Sequence, residues 1–580
     1  MRIMKTKIYK FVCAAWVVFG LASCLNLEPQ DQLGGDKMWV SASDYKNFAN
    51  NFYNWLPTFA TIYNDGSAHS DSRSDLLTYT SVNIYSKGTN TVPASDGNYT
   101  GAYSHIRRCN LLLDAASGFG NQESISQYVG EAYFFRAFTY FDLVQLFGDV
   151  IIVKTPIDIN SGELQAERND RGEVIDFVIE DLQQAIELLA PASQLTGEDE
   201  GRVSREAAQA FLSRVALYEG TWQKFHNNNT ERATSLLDQA ANAAKSVIDG
   251  KQFYLFGTQG ESAVLGDSAQ KYMFILENEQ SNPANLGKSA NHEYILAKRY
   301  DMTLARIGRN VTRETSCNVQ WITRNFANLY LCDDGLPVEK SPKFKGYATK
   351  KSEWYNRDTR MRYTLLMPGC HRWDNYAPRQ NWEYGDMTGG YAYNGRTDAN
   401  SNYNNQKWAS ERDVADGYEG YDWPVIRYAE VLLNYAEAVY ERDGKISDAD
   451  LDYSLNQVRL RVNKNNKMPG LSNSLVNSNG LDMREEIRRE RTVELYQEGF
   501  RIDDLKRWAT AMGVMSRPLL GVKYTGTEWQ TSGWNPNFSK DADGCIILDT
   551  NRSWTEKNYL LPLPSDQLQL NPNLKQNPGW

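Results

Sequence analysis

The stretch Glu131–Phe147, EAYFFRAFTYFDLVQLF, limits the possible folds of this 580-residue chain more than any other. Read as a helix, its apolar side chains point in nearly every direction around the axis, so other elements must enclose it on most sides. Arg136 and Asp142 are its only charges after Glu131. Enclosed charges require partners, and a structural ion pair is the expected role of each. Neighbouring segments supply the enclosing faces. Val174, Ile175, Val178, Ile179, Leu182, Ala185, Ile186 and Leu189 follow the helical period without a miss. Val203 to about Trp222 is a further helix, in which Ala207, Ala208 and Ala210 permit close approach, and Glu231–Asp249 repeats the alanine-rich pattern. Paired helices with short connections are the layout of a helical-hairpin array.

Upstream, Ser43 is placed to cap a helix carrying Tyr45, Phe48, Phe52 and Leu56 and ended before Pro57. Residues 57–100 are loop-rich, with Asn64-Asp65-Gly66 and Asp96-Gly97-Asn98 as turn signals, before Tyr103, Ile106, Leu111 and Leu113 restore helical order. Between about 251 and 420 periodicity weakens, Gly, Asn and Tyr increase, and one strand-like run, Tyr363–Met367, ends at Pro368-Gly369. Helical order resumes through Val425, Ile426, Ala429, Leu432, Leu433, Ala436, Val439 and Tyr440, followed by helices near Asp448–Val462 and Asp482–Trp508.

The amino terminus reads as a leader. Arg2, Lys5, Lys7 and Lys10 stand without an acid before Phe11–Leu21, an apolar run well short of the roughly 20 residues that span a bilayer. It ends on Leu21-Ala22-Ser23-Cys24, which resembles a bacterial lipobox, in which Cys24 is acylated and becomes the first mature residue. The competing reading is an ordinary secretory signal cut near Ala22, with Cys24 incidental. The apolar run ends directly on these four residues, and an unmodified cysteine there has no partner close by, so the lipid anchor is preferred. Acyl chains contribute about 0.8 kcal/mol per buried CH₂. Residues 1–23 are thus the leader, 24–40 a lipidated tether, and the rest a soluble body, in keeping with a mean hydropathy of -0.58.

The net charge of -10, with no basic block in the body, argues against nucleic acid as a partner. Once Cys13 and Cys24 are set aside, Cys109, Cys317, Cys332, Cys370 and Cys545 form neither a disulfide framework nor a C-x-x-C pair. Buried free thiols are preferred over a stray disulfide. His69, His105, His226, His292 and His371 are scattered without ligand spacing, so no metal is expected. Asp541-Ala542-Asp543-Gly544 begins like a calcium loop but lacks the glutamate at loop position twelve, and reads as a turn. Walker, G-x-G-x-x-G and G-x-S-x-G motifs are missing, and no cofactor is expected. The segment Ile487–Trp508 is dense with charge: Arg488, Glu490, Arg491, Glu494, Glu498, Arg501, Asp503 and Asp504. Paired carboxylates are the tools of glycosidases, but the i,i+4 spacing from Glu490 to Glu494 and from Arg501 to Leu505 suits helical ion pairs, and no catalytic pair is assigned.

Several stretches resemble, in order, the SusD/RagB family of surface nutrient-binding lipoproteins of Bacteroidota. They are Leu25-Asn26-Leu27-Glu28-Pro29; RAFTYFDLVQLFGDVIIV from Arg136 to Val153; and Gly201-Arg202-Val203-Ser204 leading into AAQAFLSRVALYEG. They continue with RYAEVLLNYAEA from Arg427 to Ala438, IRRERTVELYQEGFRIDDLKRW ending at Trp508, Tyr559–Pro564 and Asn571–Gly579. The resemblance implies a mainly α fold, tetratricopeptide-like hairpins in a right-handed superhelix, with a long loop-rich insertion bearing the ligand face. Its regions are 41–250, 251–420 and 421–580, packed as one globular unit. It also implies an outer-membrane, cell-surface location, no enzymatic activity, and a partner, a SusC-like TonB-dependent barrel over which the lipoprotein sits as a lid.

Between His371 and Trp423, Trp373, Tyr376, Trp382, Tyr384, Tyr391, Tyr393, Tyr403 and Trp408 are interleaved with Asp374, Asn375, Arg379, Asn381, Asn394 and Asn402. Sugar rings have apolar C–H faces and polar rims, so their capture needs flat aromatic platforms beside side chains that bond hydroxyls. The competing role, pinning an irregular insertion to the scaffold, is expected of about half these rings. A second candidate is the early loop with Tyr63, Asn64, Asp65, Asp71, Arg73, Asp75, Tyr85 and Tyr99, whose position resembles the family region that contributes to the ligand face. Local turns and salt bridges compete for Asp71–Asp75. The expected function is capture of an oligosaccharide and its delivery to the barrel. The rivals are a peptide ligand on the same fold, a surface glycoside hydrolase, and a pure helical-hairpin adaptor.

Overall fold

A computed structural model describes residues 38–63, 66–316, 320–368, 401–410, 417–532 and 534–580. Its first half contains α1 (Ala42–Ala49), α2 (Gly97–Ser117), α3 (Gln122–Phe147), α4 (Arg171–Leu188), α5 (Arg205–Phe225) and α6 (Thr230–Gly250). Each of α2 to α6 lies against the next, so the hairpin array expected from the sequence is present. Helix α3 is enclosed as its composition demands, with Ala132, Phe134, Phe135, Ala137, Leu143, Val144 and Phe147 wholly buried. Its charges fasten it to neighbours. Arg136 donates from Nε and Nη2 to Asp181 on α4, both at 2.7 Å, and Glu131 receives Nε and Nη2 of Arg202 at the same distance.

The helix starts differ from expectation where side-chain capping decides them. Helix α1 begins after Ser41, two residues before the expected cap, because the Asp44 carboxylate accepts from the Ser41 amide (2.8 Å) and hydroxyl (2.9 Å). Asp96-Gly97-Asn98 is the start of α2, with Asp96 Oδ1 accepting from the Asn98 amide at 2.8 Å. The α5–α6 hairpin is tight at Gly220, where a Cβ would fall 2.9 Å from Leu237 Cγ and 3.2 Å from its backbone nitrogen. Gly220→Leu is therefore expected to lower stability by about 1–3 kcal/mol through overpacking. An unchanged denaturation midpoint would refute that close approach.

In the second half β1 (Tyr294–Lys298) pairs antiparallel with β2 (Trp423–Arg427), which runs directly into α7 (Tyr428–Asp443). Val425 and Ile426, expected in the helix, thus belong to the strand. Pro424 disfavours the helical conformation for Trp423, and the β-branched pair after it suits a strand once β1 is beside it. The segment Asp448–Val462 is broken at Ser454 into α8 (Asp448–Tyr453) and α9 (Leu455–Leu460). Asp482–Trp508 is broken into α10 (Met483–Glu494) and α11 (Arg501–Arg507). Helix α7 packs on α5, α6 and α10, which extends the array.

Of the expected strand Tyr363–Met367, only Leu365–Leu366 is extended, pairing with Asn404–Asn405 after a helical turn at Thr359–Thr364. Strands β3 (Leu519–Lys523) and β4 (Cys545–Asp549) form a hairpin whose approach turns at Asp541–Gly544, with Asp541 Oδ1 accepting from the Cys545 amide at 2.8 Å. Leu77, Ile322, Phe326, Tyr330, Leu366, Tyr403, Tyr496 and Ile546 belong to a second apolar core, beside the main one. Cys109, Cys332 and Cys545 are buried free thiols; Cys317 and Cys370 lie outside the described residues. Among the described residues no helix is long and apolar enough to cross a membrane.

The loop-rich region is held to α10 by buried charge. Glu494 accepts from Arg427 Nη1 (2.8 Å), Arg461 Nη2 and Arg360 Nη1 (3.1 Å). Glu293 bridges Arg427 (2.8 Å) and Arg461 (2.7 Å), Glu490 lies between Arg459 and Arg360, and Glu498 receives Arg427 and Lys407, both at 2.6 Å. Glu490 and Glu494 therefore pair with other segments, not along their own helix as the spacing suggested. Arg501 likewise pairs with Asp75, at 2.8 Å.

Candidate ligand-binding site

The carboxyl-terminal half of α3, the start of α2, the middle of α5 and the segments 55–61 and 67–69 converge with α11 on a cleft of about 370 Å³. That lies in the range of small-molecule sites, roughly 300–1,000 Å³. Trp55 and His105 form one wall, stacked at 4.1 Å between ring centroids and 13° apart, and both are half-buried. Phe138, stacked on Phe211 at 5.1 Å, and half-buried Phe500 supply further ring surface. Phe138 and Phe141, one turn apart on α3, both line the cleft and both pack on Phe211 of α5; Phe138 is half-buried and Phe141 buried.

At the floor stands His69, with Nδ1 2.5 Å from Asp503 Oδ2 and Nε2 2.5 Å from Asp142 Oδ1. Burial pulls the imidazole down, but Asp503 and Asp142 outweigh it and push its pKa up to about 10. A cation is therefore held between two carboxylates, and His69 is Asp142's partner in the ion pair expected from the sequence. Burial opposes ionisation of Asp503 as well, yet His69 beside it holds its carboxyl below the ordinary value. Because the folded value for His69 lies above the free value of 6.5, its stabilisation is complete below pH 6.5 and is lost as pH rises through about 10. The melting temperature should fall over that interval, and His69→Gln should flatten the fall; parallel curves for the two proteins would exclude this role.

The other charges lining the cleft are also matched. Arg214 pairs with Glu430 at 2.6 Å, Asp504 with Arg491 and Arg507 at 2.8 Å, and Glu498 with Arg427 and Lys407. Among the described residues the result is a ring-walled cleft with no uncompensated charge, rimmed by the half-exposed carboxylate of Asp142 and by Gln145. Such a lining suits a neutral ligand with apolar faces and hydroxyl groups. Asp503, held below the ordinary carboxylate value, is unsuited to work as a general acid, which needs a raised pKa.

Of the residues singled out in the sequence, Asn64, Asp65, Trp373, Tyr376, Trp382, Tyr384, Tyr391 and Tyr393 lie outside the described residues, as does Cys24. Residues flanking Asn64 and Asp65, namely Ala60, Thr61, Ser67, Ala68 and His69, do line the cleft. Trp408 is a correction. It is wholly buried, stacked at 5.3 Å on Trp423 and flanked by Phe59 and Phe274 at 5.2 and 4.8 Å, so it is a core residue and offers no face to a ligand. Those rings hold it at φ +69°, a costly conformation for an aromatic residue. Tyr403 is buried too, donating to Glu353 at 2.8 Å. Tyr85 is half-buried with one face covered by Arg73, 3.7 Å from the ring centroid, and Asp71 and Asp75 serve the packing of the loop against Gln497 and Arg501. The sequence reading missed Trp55, His69 and His105. No local signal marks them, because His69 meets partners 73 and 434 residues away.

Comparison with known proteins adds to this geometry. Residues 274–580 match the family model described as SusD family, and residues 34–217 match one described as starch-binding associating with outer membrane. The SusD-like protein P2 of Formosa agariphila is 26% identical over 496 residues, covering 83% of this chain and 79% of that protein. A SusD-like protein of Bacteroides ovatus is 23% identical over 520 residues, covering 83% and 80%. Among solved structures, a SusD-like carbohydrate binding protein from Bacteroides fragilis superposes with a TM-score of 0.70 at 20% identity, covering 93% of this chain and all of that one. Surface glycan-binding protein A from Bacteroides fluxus gives 0.59 at 18% identity, with 93% and 100% covered. These structures share the fold.

Proposed function

Because the chain belongs to the SusD family, we propose that it captures oligosaccharides at the cell surface, anchored by a lipid on Cys24, and delivers them to a SusC-like TonB-dependent barrel in the outer membrane. The observation that carries the ligand class is the neutral cleft walled by Trp55, His105 and Phe138, since a sugar ring offers the flat apolar face and the hydroxyl rim that such a lining receives. The family description of the first half as starch-binding and outer-membrane associating supports both ligand and location. So do the names of the neighbours that share the fold, one a carbohydrate binding protein and another a surface glycan-binding protein.

In this reading residues 1–23 are removed, 24–40 form the tether, and 251–420 carry the outer ligand face, where Trp373, Tyr376, Trp382, Tyr384, Tyr391 and Tyr393 meet the polymer while the cleft holds one of its residues. The protein binds without reacting. Native gels containing a broad panel of polysaccharides should retard it on at least one of them, and no retardation on any would overturn the proposal. Calorimetry should give heat with oligosaccharides and none with oligopeptides; the reverse would make it a peptide carrier. Release of product from a labelled glycan by the isolated protein would make it a hydrolase. Cys24→Ala is expected to move the protein from the membrane to the soluble fraction, and full retention in the membrane would remove the anchor.

A further inference from the structure

Gly101, Gly130 and Gly220 stand inside α2, α3 and α5, where glycine is the least favourable residue after proline. A glycine in such a place needs a packing or a functional reason. Two of the three have the first. A Cβ at Gly130 would fall 2.9 Å from Leu189 Cγ, and one at Gly220 would fall 2.9 Å from Leu237 Cγ. At Gly101 the same Cβ would meet no described atom within 4 Å, and the same holds at Gly97, one turn earlier. Both residues line the cleft, so the space left by their missing side chains belongs to it.

Helices α2 and α3 are joined by residues 118–121 and lie side by side, so the start of α2 faces the end of α3. Along α2 the cleft is lined by Gly97, Gly101 and His105, a span of about 12 Å at the helical rise. The wall is therefore divided. At one end are the rings of Trp55, His105 and Phe138. At the other are Gln145 and Asp142, which is fixed through Oδ1 by His69 yet keeps 36% of its side chain exposed. An independent sign of an occupant comes from Thr61 and Asp503, which also line the cleft and are only 4% and 5% exposed. Thr61 Oγ1 and Asp503 Oδ1 are buried without a hydrogen-bond partner. Unpaired buried oxygens are costly, and a guest rich in hydroxyl groups offers them partners.

Resting on the glycan reading above, we propose that Gly97 and Gly101 are specificity-determining residues, whose bare helix face receives two consecutive uncharged sugar units. One unit lies against the wall of Trp55 and His105, and the next places its hydroxyl groups at Asp142 and Gln145. The exposed part of the Asp142 carboxylate repels an anionic unit, so the accepted chain is neutral.

The test uses the full chain with Gly101→Ala and Gly101→Leu in native gels containing amylose, xylan, mannan, galactan or levan, beside the acidic polymers alginate and polygalacturonate. At least one neutral polymer should retard the unaltered protein. Affinity for it should fall stepwise with side-chain size, by about 10-fold or more in Gly101→Leu, while the melting temperature of both variants stays level or rises. Equal retardation of Gly101→Leu and the unaltered protein would overturn the role of this face and leave the glycan reading standing. A lower melting temperature or failure to fold in Gly101→Leu would show that the space is needed for packing, and would overturn it too. Retardation by alginate or polygalacturonate alone would overturn the neutral class. If no polymer retards the unaltered protein, the glycan reading itself falls, and this inference with it.

Discussion

Glu494→Gln is expected to cost about 3–5 kcal/mol of stability. The carboxylate is wholly buried and receives Arg427, Arg461 and Arg360. Burial acts to raise its pKa, but Arg461, Arg427 and Arg360 prevail and hold it well below the carboxylate range. The glutamine keeps the volume and removes the charge, so five cations, Arg427, Arg461, Arg360, Arg459 and Lys407, are left sharing four carboxylates, Glu293, Glu490, Glu498 and Asp358. Breaking a buried pair on one side leaves an uncompensated charge, and that penalty exceeds the worth of the pair itself. Because the folded-state pKa is depressed, this stabilisation is present above the free carboxylate value and disappears only in strong acid. Chemical denaturation of the two proteins at neutral pH measures the difference, and a loss under 1 kcal/mol would mean that water reaches the network. Since Arg360 and Glu293 come from the loop-rich region while Glu494 lies on α10, that region should loosen first and become the earliest site of proteolysis.

The second large effect concerns the ligand. Replacing Trp373 and Trp382 together by alanine is expected to weaken glycan binding at least about 30-fold, since a tryptophan at the centre of a contact carries roughly 2 kcal/mol or more. Melting temperature should hardly move if the rings serve the ligand. Trp408→Ala provides the contrast: that ring is enclosed by Phe59, Phe274 and Trp423, and its removal should cost about 3–5 kcal/mol of stability. Titration with a retained oligosaccharide, beside a thermal scan, separates the outcomes. Unchanged affinity in the double variant would move the ligand site wholly to the cleft at Trp55 and His105, or leave a helical adaptor that binds no sugar.

The helical half was readable because its signals are local. The apolar girth of Glu131–Phe147 and the unbroken period from Val174 to Leu189 each state how a helix must be buried, and α3 and α4 follow them. Capping was half legible: a serine near position 42 was visible as a helix start, but the choice between Ser41 and Ser43 rests on which one Asp44 can reach. The strand Trp423–Arg427 reads as helix in the sequence because its apolar residues fit the period of the helix behind it, while its partner Tyr294–Lys298 lies 125 to 133 residues earlier.

For the site the division is sharper. Aromatic abundance in a polar insertion is visible in the letters, but Trp408 and Tyr403 show that a ring in such a run is as readily core as platform, and only burial tells them apart. A scattered histidine looks inert until the fold sets His69 between Asp142 and Asp503.

What the sequence determined by itself is the set of interactions that act between near neighbours along the chain: helix period, the sites of most caps and breaks, and through the ordered motifs the family. What the tertiary structure alone decided is where charge and ring surface go: Glu490 and Glu494 to distant arginines, Trp408 to the interior, Trp55 and His105 to the wall of a cleft. The reason is physical. Backbone propensity is fixed within a few residues, whereas the cost of burying a charge or the gain from burying a ring depends on which groups the whole fold brings within a few ångströms.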